Sequence, residues 1–499
     1  MTRSRFPVLS AEEAAALIPD GATVGFSGFT PAGAAKAVPR ALAARARALH
    51  ASGESYRLRV LTGASTGPGI DEALANADAI SWRAPYQSSK ALRERINDQR
   101  VEFIDMHLSH VPQMVEFGFF GPLDFAVVEA VDVTDDGRVY LSASVGASPS
   151  FLRHAKRVIV EVNAHHSQRL HEMHDIAILP RPPLRDPIPI SRPLAKMGVP
   201  FALTDPSKIV GIVHTDEPDG VAPFTPPDAA SERIAGHVVR FLLDELHAGR
   251  IPADFLPLQA GVGNVANAVM ASLGKADEIP PFVMYTEVFQ DALVGLMQQG
   301  KLLGASSTSL TLSEERLQQV YADMSFFGPR VVLRPQELSN NPGVIRRLGV
   351  ISINTAVEAD IYGCVNSTHV AGTRLLNGVG GSGDFVRNAY LSLLVCPSVS
   401  RGGAISTIVP MVTHVDHNEH SVQVVVTEQG LADLRGLGPL ERARRMIEKC
   451  AHPSYRDYLH HYIEASPLGH VRHDLAHCFD LHRSLIEHGS MLPAVEAAR

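Results

Sequence analysis

Short β-branched runs recur along the first two hundred or so residues: "YRLRVLTGAS", "VEFIDM", "LDFAVVEAVDV", "RVIVEVN" and "KIVGIV". Ten or more residues of helical or polar sequence separate them. A hairpin needs only a tight turn, whereas a parallel pair needs a crossover of about a dozen residues, usually a helix. The spacing therefore predicts an α/β fold, a largely parallel sheet with helices on its faces. "VYLSASVGA" fits an added antiparallel strand. The chain begins in the same style. "SAEEAAALI" predicts a helix capped by Ser10, with Glu13 three residues later. "GATVGFSGF" is a strand running into glycines, and "PAGAAKAVPRALAARAR" an alanine-rich helix with an internal Pro39.

The plan returns later. After an amphipathic helix, "ASERIAGHVVRFLLDEL", comes "FLPLQAGVGNVANAVMASL", again strand, glycine turn and alanine-rich helix. Between the two copies, residues 179–227 are dense in proline, which removes donors and fixes φ. This stretch reads as a connection, with a short strand around "SKIVGIV" belonging to the first half. A chain of 499 residues exceeds one core. Two related α/β domains are expected, residues 1–227 and 228–499.

A formal net charge of −8 argues against nonspecific binding to nucleic acid or acidic lipid. No apolar run approaches the roughly 20 residues that span a bilayer. The N-terminus has no apolar signal core, so a cytoplasmic protein is expected. Cys364, Cys396, Cys450 and Cys478 are scattered and suit a reducing compartment.

Chemistry concentrates in the second half. "GVGNVA" (Gly261, Gly263, Ala266) follows a strand, opens a helix and satisfies G-x-G-x-x-G/A. Glu287, in "MYTEVFQD", lies about twenty residues beyond, where a dinucleotide fold places its ribose acid. It is equally a candidate nucleophile, or a solvated charge at a strand end. "NGVGGSGDF" (Asn377–Phe385) is a second glycine-rich loop, able to present backbone N–H groups to an oxyanion or a ligand. Asn340, Asn341 and Asn354 stand beside apolar strands, and Glu428 ends another in "VVTEQG". Two glutamates and two glycine loops suit a reaction centre better than a cofactor clasp. "HVDHNEH" (His414, His417, His420) reads as a hairpin tip whose histidines splay apart. "HHSQRLHEMH" (His165, His166, His171, His174) lacks HExxH order, so no metal site is expected. Neither a P-loop nor a G-x-S-x-G elbow occurs.

Taken together, "GVGNVANAV", "MYTEVFQD", "SNNPGVIRRLGVISINTAVEADIYGCVNSTHV", "NGVGGSGDF" and "HVDHNEHSVQVVVTEQGLADLRG" resemble the acetyl-CoA hydrolase/transferase family. These are class I coenzyme A transferases, including succinyl-CoA:acetate CoA-transferases. The resemblance spans essentially the whole chain and is densest from about residue 255 to 440. It implies two α/β CoA-transferase domains, homodimers, and coenzyme A and acyl-CoA as substrates, with acetate and succinate as carboxylates. It implies no permanently bound cofactor or metal. By resemblance, Glu287 matches the nucleophile, and Asn340 and Glu428 match polar positions orienting the nucleophile and the acyl group. Gly261, Val262, Gly263, Asn264 and Val265 match a loop contacting CoA and oxyanion. Asn377, Gly380 and Gly381 match the second CoA loop, with the Gly381 amide as oxyanion donor. Arg401 matches a basic position facing the CoA phosphates. The activity implied is CoA transfer through a glutamyl-CoA thioester. An acetyl-CoA hydrolase, a nicotinamide-dependent dehydrogenase and a non-enzymatic acyl-CoA-binding protein are the alternatives.

Overall fold

In the computed structural model, β1 (Thr23–Phe26) is buried at every position. It belongs to a nine-stranded sheet with β2 (Leu58–Leu61), β3 (Ile80–Ala84), β4 (Glu102–Phe103) and β5 (Phe125–Val133). The remaining strands are β6 (Arg138–Leu141), β7 (Arg157–Asn163), β8 (Ala202–Leu203) and β9 (Ile209–Thr215). The structure describes residues 5–222, 226–261 and 263–492. Strands β4-β3-β2-β1-β5-β7-β9 run parallel in that order. β6 extends the far end of β5 antiparallel, as expected from "VYLSASVGA", and β8 pairs antiparallel with β6.

Strands without a wet face need cover on both sides. Helix Ala37–Ala51 supplies Val38, Ala41, Leu42 and Ala46 to a core with Val24, Phe26, Val60 and Val127. Side chains alternate along a strand, so Gly25 faces the other way. There a Cβ would meet the Phe151 ring at 2.8 Å, so only glycine lets helix Ser148–His154 approach this closely. Pro39 falls in the first turn of its helix, where a missing N–H breaks no helical bond. The free N–H groups of Lys36, Ala37 and Val38 donate to the Glu161 carboxylate at 2.7, 3.1 and 2.7 Å. Ser10 and Glu13 form the predicted capping box.

Two compact units emerge, and they do not follow the consecutive segments 1–227 and 228–499. The first comprises residues 1–224, 283–348 and 377–384; the second comprises 225–282, 349–376 and 385–499. Segment 228–499 thus divides between both, because the strands near Glu287 and the second glycine loop pack with the N-terminal half. Strand Leu302–Ser307 lies between Val331–Leu333 and Phe282–Tyr285, the last of which belongs to the first unit from Val283 onward. The second unit orders Leu258–Ala260, Ile351–Thr355, Leu391–Val395 and Val424–Thr427 in parallel, with Gly430–Asp433 antiparallel at the edge.

The proline-rich connection is irregular from about 180 to 201, and arginines satisfy its carbonyls. Arg334, fully buried and ion-paired with Asp175, donates to Pro193 and Ala195. Arg347 donates to Ile188 and Ile190. "SKIVGIV" forms β9, a full strand in the first unit's sheet. The hairpin expected around His417 does not form. Ile408–Val409 pairs with Glu358–Asp360, while Val424–Thr427 takes Leu391–Val395 and Gly430–Asp433 as neighbours. His417 is buried and His420 stands in solvent, so these histidines do not converge. Among the described residues no helix is long and apolar enough to cross a membrane.

Candidate active site

Strand Phe282–Tyr285 ends just before Thr286 and Glu287. The Thr286 N–H donates to Ser306 and the Thr308 N–H to the Glu287 carbonyl, at 2.9 and 2.8 Å, so the backbone is pinned on both sides. The site therefore sits at the carboxyl ends of strands, where open α/β sheets hold their ligands. The side chain turns inward. Asn340 Nδ2 donates to Glu287 Oε1 at 2.7 Å. A Cβ on Gly381 would lie 1.8 Å from the same oxygen and 2.6 Å from Asn340 Nδ2. Only a glycine fits against this carboxylate. Burial pushes the Glu287 carboxyl up to about 7; Asn340 pulls it down and the negative Asp384 pushes it up. This is no solvated strand-end charge. Asn340 and Gly381 together close off Oε1, one of the two oxygens a ribose acid would offer to a hydroxyl pair.

The loop carrying Gly381 is anchored by the N-terminal half. Both Asp105 oxygens accept from the Val379 N–H, at 2.9 and 3.0 Å. Asn377 Nδ2 donates to the Tyr86 hydroxyl at 3.4 Å. The Tyr86 ring lies beneath Gly378 and Gly380, the latter at φ +57°. Burial raises the Tyr86 hydroxyl to about 12, so it stays neutral. Asp384, at the far end of the loop, accepts from the Ser109 N–H at 3.1 Å and hydroxyl at 2.6 Å, and from Asn340 Nδ2 at 3.4 Å. Glu287, Asn340, Asn377, Gly380 and Gly381 thus gather in the first unit. Tyr86, Asp105, Ser109 and Asp384 were missed. Only Asp384 carried a signal, its place inside "GSGDF".

The other predicted residues belong to the second unit. Gly261 donates its N–H to Ile353 at 3.0 Å, and Gly263 has φ +106° ahead of helix Asn264–Lys275, which Asn264 and Val265 open. Val262 lies outside the described residues. Nearby, Gln259 and Asn354 exchange amide hydrogen bonds at 3.2 and 3.0 Å. Glu428 accepts from the Ser398 N–H at 2.7 Å and from the Ser398 hydroxyl. Burial would raise the Glu428 carboxyl, but these bonds hold it below the usual carboxylate range. Arg401 is exposed and left-handed at φ +47°, opening a turn with Gly402 and Gly403. Asn341, in the first unit, is a helix cap, accepting from the Gly343 and Val344 N–H groups.

One polar cluster lies elsewhere in the first unit. Glu129, His166 and Asp219 bring potential ligand atoms within 4.8 Å of one another. Lys36 already fills the cluster, its ammonium paired with both carboxylates. The cation a metal would supply is present as a side chain.

Residues 3–214 match the acetyl-CoA hydrolase/transferase N-terminal domain, and residues 317–463 match the C-terminal domain of the same name. The propanoyl-CoA:succinate CoA transferase of Escherichia coli is 54% identical over 97% of this chain and 98% of its own. The chain belongs to the acetyl-CoA hydrolase/transferase family. Other members include the succinyl-CoA:acetate CoA-transferase of Clostridium kluyveri, 44% identical over 97% of this chain and 90% of its own. The acetyl-CoA hydrolase of Saccharomyces cerevisiae is 43% identical over 97% and 95%. The fold matches RipA from Yersinia pestis (TM-score 0.69, 24% identity, 91% of this chain and 96% of that one). It also matches the 4-hydroxybutyrate CoA-transferase of Porphyromonas gingivalis (TM-score 0.63, 22% identity, 92% and 97%).

Proposed function

We propose that this family member transfers coenzyme A between small carboxylates, with Glu287 as nucleophile. The observation that carries the reading is the half-buried Glu287 carboxylate, held by Asn340 and overlaid by glycine, in a chain 54% and 44% identical to named CoA-transferases. Both names include succinate or its thioester, so succinyl-CoA with acetate or propionate is the pair proposed.

A Glu287 oxygen attacks the thioester carbonyl. The C–S bond breaks, giving an acyl-glutamyl anhydride and CoA thiolate. The thiolate then attacks the glutamyl carbonyl, the anhydride C–O bond breaks, and the donor leaves as its free carboxylate. An acceptor carboxylate reverses both steps through a second anhydride. The covalent route replaces one difficult exchange by easier ones. Each tetrahedral intermediate carries an oxyanion, and the Gly381 amide is assigned to it, beside the carboxylate it overlies. Gly261, Gly263, Asn264, Val265, Asn377, Gly380 and Arg401 are assigned to CoA, and Glu428 to the acyl group. Every carbon and sulfur keeps its oxidation state through these acyl exchanges, so the scheme calls for no redox cofactor. A cytoplasmic homodimer completes the reading, and light scattering on the eluted protein tests the dimer.

Incubation with succinyl-CoA alone, borohydride reduction and peptide mass spectrometry should modify residue 287. A modification elsewhere, or none in active protein, sinks the assignment. The yeast relative's name favours hydrolysis as a second reading, with water taking the glutamyl-CoA. A donor–acceptor matrix with water as one acceptor separates the two.

A further inference from the structure

Resting on that reading, we infer that Asp384, seated on Ser109, is a positioning residue that orients the Asn340 amide and so aims the Glu287 carboxylate. The amide nitrogen of Asn340 has two hydrogens. One meets Glu287 Oε1 at 2.7 Å; the other faces Asp384 Oδ2 at 3.4 Å. Asn340 Oδ1 accepts from the Ser339 hydroxyl at 2.8 Å. A flipped amide would turn its oxygen toward two carboxylates and its nitrogen toward Ser339. Asp384 therefore makes the flipped state worse than Glu287 alone would.

Asp384 is itself fixed. It is 3% exposed and takes donors on both oxygens, the Ser109 N–H on Oδ2 and the Ser109 hydroxyl on Oδ1. Burial raises the Asp384 carboxyl to about 6, while the Ser109 and Asn340 donors pull it back toward its charged, acceptor-only form, so it is ionised at neutral pH. Its titratable neighbours are Glu287 across Asn340 and the exposed His110 on the segment bearing Ser109. His107, on that segment, presses its ring on the Gly383 backbone, where a Cβ would fall 2.2 Å away. The loop thus enters the site in one register, and the charge of Asp384 reaches Glu287 through a single shared amide.

Two substitutions separate orientation from charge. Asp384→Asn keeps the shape: its oxygen can still accept on the Oδ2 side while the Ser109 hydroxyl reverses to accept on the other. The charge is lost, so the acid limb of the kcat/KM pH profile should move down by about half to one unit, with a kcat loss under about tenfold. Asp384→Ala frees the amide. Its kcat should fall about 10- to 100-fold while KM for the acyl-CoA stays within about twofold, the pattern of a misaimed group. Single-turnover formation of the Glu287 adduct should slow by the same factor. A residue that only braces the loop would lower the melting temperature without moving the acid limb; an Asp384→Asn profile superimposable on the wild type overturns the inference. If Asp384→Ala does not fold, the Asp384→Asn profile decides. Wild-type enzyme that forms the Glu287 adduct, beside variants that form it at the wild-type rate and pH, defeats this inference and leaves the proposed function standing. Active wild-type enzyme with no adduct defeats both.

Discussion

Gly381→Ala is the sharpest perturbation available. The new methyl carbon would stand 1.8 Å from Glu287 Oε1, 2.3 Å from its carboxyl carbon and 2.6 Å from Asn340 Nδ2. Real Cβ contacts essentially never fall under 3.0 Å. The carboxylate must therefore retreat by about 1.2 Å or more, or the loop must lift. The loop resists, because Asp105 holds Val379 and Ser109 holds Asp384. A misplacement of about 1 Å costs on the order of 100-fold in rate, or about 2.7 kcal/mol of barrier. Overpacking adds about 1–3 kcal/mol of lost stability. Steady-state transfer between succinyl-CoA and acetate should show kcat at least about 100-fold lower. Chemical denaturation should show the stability loss in the same preparation. An alanine variant with wild-type kcat and wild-type stability would refute the packing of this loop on the carboxylate, and with it the assignment of Glu287.

Other outcomes are equally concrete. The Glu287 carboxyl, raised to about 7, has to be ionised to attack, so kcat/KM should climb as pH rises through about 7 and lose about tenfold per unit below it. Asn340→Ala removes a bond that favours the charged form and should shift that limb upward; a limb that stays put or moves down contradicts the geometry. His166 is buried, which disfavours its protonation, but Asp219 and Glu129 outweigh burial and raise it to about 9. Its contribution to stability is therefore fully present below the unfolded pKa of about 6.5 and lost as pH rises through about 9, a change of about 3 kcal/mol. Denaturation at pH 6 and pH 9.5 should show the advantage of wild type over His166→Gln shrinking by that order, and a constant gap counts against it. Lys36→Met leaves Glu129 and Asp219 facing each other without their ammonium and should cost about 3–5 kcal/mol, read by calorimetry.

How much of this was legible follows from what local sequence encodes. Strand spacing and the glycine-to-helix turns report on neighbours within some thirty residues, so the parallel sheet, the capped first helix and β6 came through. The unit to which a strand belongs is a long-range fact. "MYTEVFQD" continues from the second unit's "GVGNVA" helix in sequence, yet residues 283–348 and 377–384 pack with the N-terminal half. Hydrophobic pattern carries no record of that exchange. The supposed hairpin around His417 failed for the same reason: two β-branched runs adjacent in sequence found different partners.

The site divides along the same line. "NGVGGSGDF" announces that something must come close to backbone, since glycine is needed where a side chain would collide. It does not say what. The structure supplies the answer at Gly381, where the volume of a methyl group is occupied by the Glu287 carboxylate, and at Gly378, where a Cβ would meet Asp105 at 2.7 Å. The two glycines are thus required by two acids of opposite use, one anchoring the loop from residue 105 and one lying beneath it at residue 287. Ser109 and Asp384 meet across 275 positions of sequence. Neither says which residue it will meet, because a serine in a short 3-10 turn and an aspartate in a helix's first turn are ordinary local choices. What makes them consequential is that the Asn340 amide, already committed to Glu287, has one hydrogen left to give, and Asp384 stands where that hydrogen points.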